Sequence, residues 1–144
     1  MDDKFYMKLA IEEAKKCPPS ETAYSVGCVI VNVSGEIIAR CYSREVDDKV
    51  HAEEGALAKL NGKAKDCVIY STMEPCSVRK SRPKSCTQHI IDSGAKKVVY
   101  GLKEPIHFVA DCKGHELLEQ AGIEVVYFKE LEEECLEMNK HLGD

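Results

Sequence analysis

Apolar positions along this chain recur in two rhythms, one suited to helices and one to buried strands. From about Lys4 to Lys16, Phe5, Leu9, Ala10 and Ala14 share one face and charges occupy much of the rest. This is the spacing of an amphipathic helix, and Pro18-Pro19 stops it. Val26 to Val31 is then an unbroken apolar run, the pattern of a strand buried on both faces. Ser34-Gly35 turns the chain, and Glu36 to Tyr42 returns as a hairpin partner. A charged loop, Arg44 to Lys49, leads to a second helix that opens at His51, runs from Ala52 to about Lys59 and ends at Asn61-Gly62. Further strands are expected at Cys67 to Tyr70, Lys97 to Tyr100 and Ile123 to Phe128. A helix from about Ser85 to Ser93, capped by Gly94, and another ending near Ala121-Gly122 lie between them. An acidic helix, Glu130 to about His141, closes the chain.

Helices interleaved with short apolar strands predict an α/β domain of three layers, with helices on both faces of a mixed five-stranded sheet. The opening hairpin makes the first pair antiparallel. Later strands, joined through helices by right-handed crossovers, are expected to be parallel. At 144 residues, without internal repeat or linker, the whole of 1–144 reads as one domain.

Composition narrows the class of function. Hydrophobic residues make up 44% and charged residues 31%, and the formal net charge is -5. An acidic total argues against the phosphate backbone of nucleic acid as principal ligand. No apolar run approaches the length of a membrane span. Eight cysteines in a short chain raise the idea of a disulfide framework. The start Met1-Asp2-Asp3-Lys4, however, lacks the basic and apolar regions of a secretory signal. Cys28 and Cys67 also sit inside apolar runs, where a reduced thiol packs well. A reduced protein of the cytoplasm, or of the nucleus as well, is expected.

The candidate chemistry lies in His51-Ala52-Glu53, Glu74-Pro75-Cys76 and Cys86. One histidine and two cysteines supply three ligands for a zinc ion and leave the fourth tetrahedral position open to water. Glu53, two residues beyond His51, falls in the same first helical turn. Taken singly, the histidine would be a helix cap or core contact, and the cysteines ordinary buried thiols. Their joint order changes that reading, because H-x-E followed by P-C and a further Cys is the signature of zinc-dependent deaminases. In that chemistry the glutamate does not bind metal but carries protons between water, ring nitrogen and departing amine. Nine residues separate Cys76 from Cys86, where the common spacing is P-C-x-x-C. The intervening segment holds Arg79, Lys80, Arg82 and Lys84 and no acid, and reads either as a solvated loop or as a phosphate clamp. Arg44, before the first ligand, would reach the same mouth. His89 is taken as structural, and His107, His115 and His141 are given no role.

On these residues the chain resembles the cytidine-deaminase-like superfamily along nearly its whole length. The finer resemblance is to the pyrimidine deaminases of riboflavin biosynthesis, especially the fungal type. Thr22-Ala23-Tyr24-Ser25-Val26-Gly27, Tyr42-Ser43-Arg44-Glu45, Thr72-Met73-Glu74-Pro75-Cys76-Ser77 and the insertion before Cys86 carry it, with Gly101 to Pro105 and Ala121 to Val126 further on. It implies a zinc-dependent enzyme that removes the 2-amino group of a diaminopyrimidinone bearing a phosphorylated five-carbon chain. His51, Cys76 and Cys86 would hold zinc and Glu53 would shuttle protons. Ala52, Ser77, Arg79, Lys80 and Arg44 are the candidate substrate contacts. A homodimer or higher homo-oligomer is expected. Cys41 departs from the pattern, since a glycine is expected there, and the absence of a following reductase domain fits a stand-alone deaminase. A cytidine- or dCMP-type deaminase remains a close rival. A tRNA or other nucleic-acid base deaminase is disfavoured by the insertion and the acidic charge. A non-catalytic zinc-binding subunit is disfavoured by Glu53, which a closed structural site has no use for.

Overall fold

The computed structural model describes residues 2–17, 25–45, 51–75, 85–103, 114–137 and 139. In chain order the elements are α1 (Asp3–Ala14), β1 (Gly27–Val31), β2 (Ile37–Tyr42), α2 (Ala52–Ala58), β3 (Val68–Ser71) and α3 (Cys86–Ser93). β4 (Lys97–Tyr100), α4 (Gly114–Gln120), β5 (Glu124–Tyr127), a 3-10 turn (Lys129–Leu131) and α5 (Glu132–Glu137) follow. The closing acidic segment is thus a tight turn before a short helix rather than one continuous helix.

The strands form one sheet in the order β2-β1-β3-β4-β5. β1 is antiparallel to both β2 and β3, while β3-β4 and β4-β5 are parallel. The sheet is therefore mixed, as the hairpin and helical crossovers dictate. β1 lies inside it with all five residues buried, which explains its uninterrupted apolar sequence.

Successive residues of β1 point to opposite faces. Gly27 lies so close under α1 that a Cβ there would sit 2.0 Å from the Ala10 carbonyl oxygen and 2.4 Å from the Ala14 nitrogen. Cys28, the next residue, feels the charge of Glu53 on α2. α1 and α2 consequently cover opposite faces. α5 joins α1's side, because Gly101 packs between Cys135 and Met7.

The close approach at Gly27 also corrects the face expected for α1. Its buried apolar residues are Tyr6, Met7, Ala10, Ile11 and Ala14, whereas Phe5 is 42% exposed and Leu9 is only partly covered. Tyr6 donates from its hydroxyl to the Gly35 carbonyl (2.7 Å) and packs on Tyr70 with ring centroids 5.1 Å apart. The Tyr70 hydroxyl in turn donates to Asp3 (2.7 Å). At the start of β1, the Asn139 side chain accepts from the Ser25 N–H (2.7 Å) and donates to its carbonyl (3.1 Å), which anchors residue 139 to the sheet.

Candidate active site

The first turns of α2 and α3 meet just beyond the carboxyl end of β3, the place where parallel α/β strands present their ligand sites. His51 is the N-cap of α2 in extended conformation (φ -76°, ψ 158°); its carbonyl accepts the Gly55 N–H (2.9 Å), and its side chain makes no capping bond. Cys86 opens α3, whose start is capped by the Ser85 hydroxyl accepting from the Gln88 N–H (3.1 Å). These two starts bring His51 Nδ1 to 3.3 Å from Cys86 Sγ, with Cys86 fully buried.

That separation fits a shared metal. Zinc–nitrogen and zinc–sulfur bonds at a tetrahedral angle place nitrogen and sulfur about 3.5 Å apart. Imidazole nitrogen and cysteine sulfur are also donors that zinc favours. Among the described residues no group of three metal-ligating side chains occurs. Cys76, expected as the third ligand, lies outside them, as do Ser77, Arg79 and Lys80.

Glu53, the second residue of α2, is 4% exposed. Its Oε2 lies 2.8 Å from the hydroxyl of Ser71, the last residue of β3, which is itself fully buried. The same hydroxyl is 2.9 Å from the Met73 carbonyl. A carboxylate removed from water needs such a donor, and the charge assistance makes this bond a strong one. Sequence reading missed Ser71. Its signal is a polar residue closing an apolar strand immediately before the Glu-Pro-Cys turn.

Other expected contacts fall as follows. Ala52 is wholly buried under the first turn of α2. Arg44 adopts a left-handed backbone (φ 64°), and its Nη2 donates to Ser25 Oγ at 3.2 Å. His115, given no role from sequence, lies with Nδ1 2.9 Å from the Tyr100 hydroxyl, and its backbone N–H donates to Glu74 Oε2 (3.1 Å). Three of the other described cysteines, Cys28, Cys41 and Cys135, are buried with their thiols pushed up. Burial, with Glu53 and Cys41 nearby, pushes the Cys28 thiol well up. Burial likewise pushes Cys41, helped by Glu45, and Cys135, helped by Glu134, up to about 12. Such thiols stay protonated and chemically inert at neutral pH.

Residues 1–102 match the family model described as the cytidine and deoxycytidylate deaminase zinc-binding region. The diaminohydroxyphosphoribosylamino-pyrimidine deaminase of Schizosaccharomyces pombe is 43% identical over 136 residues, which cover 91% of this chain and 33% of that protein. RibD of Acinetobacter baumannii superposes with a TM-score of 0.84 at 31% identity, covering 97% of this chain and 38% of that one. A C-terminal deletion mutant of the Aspergillus oryzae Rib2 deaminase, crystallised in complex with DARIPP, gives a TM-score of 0.79 at 28% identity, with 94% and 88% covered. The chain spans about a third of the length of the first curated relatives it matches. With its mixed sheet, its paired helix starts and a family match over more than two thirds of its length, this chain belongs to the cytidine and deoxycytidylate deaminase zinc-binding family.

Proposed function

We propose that residues 1–144 form one zinc-dependent deaminase domain that hydrolyses the amino group of a diaminopyrimidinone carrying a phosphorylated ribitylamino or ribosylamino chain, as in riboflavin biosynthesis. The observation that carries the reading is the approach of His51 Nδ1 to Cys86 Sγ beside the buried carboxylate of Glu53. The names of the fungal relative and the DARIPP complex support the substrate class.

In this reading His51, Cys76 and Cys86 hold the metal. The described neighbours of the two cysteines are tied together, since Thr87 Oγ1 donates to the Pro75 carbonyl (3.3 Å). Zinc, when bound there, acidifies a coordinated water towards neutrality. Glu53 takes a proton from the attacking water and delivers it to the ring nitrogen, which makes the amino-bearing carbon electrophilic. It then carries the remaining hydroxyl proton to the amine, so that ammonia leaves and a carbonyl forms. Proton transfers of this kind are worth ~10²–10⁴-fold in rate. Ser71 serves Glu53 through the cycle. Its hydroxyl donates to Oε2 while the carboxylate is ionised, and turns its proton to the Met73 carbonyl when Glu53 is protonated.

Around Glu53, Ala52, Ser71 and Met73 are all buried. Burial strengthens each charge-assisted bond made there. The family description also covers free cytidine and deoxycytidylate, so the deciding experiment is a substrate panel. Ammonia release is measured with the ribitylamino and ribosylamino diaminopyrimidinone phosphates, dCMP and cytidine. Turnover of a diaminopyrimidinone phosphate well above the other two is expected. Preference for dCMP or cytidine overturns the substrate assignment and leaves the chemistry in place.

A further inference from the structure

The turn that leads from β3 towards Cys76 is held from three directions. The Glu74 N–H donates to the Leu102 carbonyl (2.7 Å), which ties the turn to the chain just past β4. The Glu74 side chain, 5% exposed, accepts at Oε2 from the backbone N–H of His115 in α4 (3.1 Å). The Pro75 carbonyl accepts from Thr87 of α3 (3.3 Å), the residue directly after Cys86. Gly114, the first residue of α4, closes over the same carbonyl. A Cβ there would lie 2.1 Å from Pro75 O and 3.1 Å from Thr87 Oγ1. His115 fixes α4 in turn, with Nδ1 2.9 Å from the Tyr100 hydroxyl, while Tyr100 stacks on Tyr127 at 5.1 Å between centroids.

We propose that Glu74, Thr87 and Gly114 are positioning residues for the metal centre, with α4 acting as a clamp that sets where the chain enters Cys76. The proposal rests on the metal reading given above. Its physical basis is the precision a metal ligand needs. A ligand displaced by a fraction of an ångström loses affinity, and the outer partners that orient ligands are worth about 10–100-fold each. The proline contributes a fixed φ, so pinning the carboxylate before it and its own carbonyl sets the direction in which the chain leaves Pro75. A turn needed only for the fold would be held more cheaply by apolar packing than by a buried carboxylate. Thr87 joins the two halves of the site, because it follows one proposed ligand and holds the residue that precedes another.

The test is zinc affinity, measured by competition with a chromogenic chelator, on the parent and on Glu74→Ala, Glu74→Gln, Thr87→Val, Gly114→Ala and His115→Ala. Thermal midpoints are taken on the same proteins in excess chelator. Glu74→Ala and Gly114→Ala are expected to lose about tenfold or more in zinc affinity while still folding without metal, Gly114→Ala with a lowered metal-free midpoint because its Cβ meets the Pro75 carbonyl. Glu74→Gln keeps an acceptor for the His115 N–H, and His115→Ala keeps that N–H. Glu74→Gln is expected to bind zinc close to the parent, and His115→Ala, which loses the tie to Tyr100, to fall between it and Glu74→Ala. Parent-like affinity in Glu74→Ala and Gly114→Ala discards the clamp and leaves the metal reading standing. A metal-free midpoint that collapses in Glu74→Ala and is not restored in Glu74→Gln assigns these contacts to the fold and overturns the proposal. A folded parent that binds no zinc removes the metal reading and the clamp with it.

Discussion

At the scale of single residues, the proposed mechanism requires one carboxylate to change protonation state inside a protein. Water would satisfy either state at a surface. Glu53 is buried, and Ser71 replaces the water with one hydroxyl able to donate or accept. A hydrogen bond to a charged group is worth about 1.5–3 kcal/mol, so Ser71→Ala is expected to lower kcat by roughly tenfold or more. KM should stay near the parent's, since the bond serves the proton carrier rather than the substrate, and Ser71→Thr should recover most of the loss. Steady-state kinetics on the preferred substrate checks this. A rise in KM at unchanged kcat would assign Ser71 to binding instead. His51, Glu53 and Cys86 were legible in sequence because motif order and helix phase are local properties. Ser71 was not, because its partner lies 18 residues away and only the packing of α2 on β3 brings the two together. The same holds for Glu74 and His115, 41 residues apart.

At the scale of elements, the strands and their boundaries followed closely from the apolar runs, and the mixed sheet followed from the hairpin and the helical crossovers. The orientation of α1 did not. Its sequence carries apolar residues nearly all round, with Phe5, Tyr6, Met7, Leu9, Ala10, Ile11 and Ala14 in three turns. Periodicity alone leaves several faces open. The choice is made by Gly27, where the absent side chain lets the Ala10–Ala14 backbone sink onto β1. Gly27→Ala would drive a methyl into backbone atoms that cannot rotate away, and overpacking of this kind costs about 1–3 kcal/mol. Denaturant titration should show a lower midpoint with an unchanged slope. An unaltered midpoint would mean that α1 does not depend on this contact. Cys41 belongs to the same scale. It pairs with Cys28 across β1 and β2, buried and with its thiol pushed up to about 12, so the departure from an expected glycine fills space beside α2 without adding a reactive group.

At the scale of the whole molecule, the net charge of -5 must be reconciled with the proposed anionic substrate. Local concentration of cations resolves this, and Arg79, Lys80, Arg82 and Lys84 supply it in sequence between two proposed zinc ligands. Their path lies outside the described residues, so their proposed part in gripping phosphate is a matter for kinetics. Replacing Arg79 and Lys80 together by Ala is expected to weaken the phosphorylated substrate and leave turnover of its dephosphorylated form nearly unchanged. Equal losses on both, or none on either, return the segment to the solvent. Among the described residues no helix is long and apolar enough to cross a membrane.

The claim that joins these scales is that zinc and Glu53 act together in one open site. Elemental analysis of the purified parent and of Glu53→Gln, run beside ammonia release from the diaminopyrimidinone phosphate, tests it in a single comparison. The account predicts about one zinc per chain in both proteins, turnover in the parent that chelator abolishes, and a loss of ~10²–10⁴-fold in the variant. A folded parent without zinc, turnover indifferent to chelator, or a Glu53→Gln variant that keeps near-parent activity would contradict it.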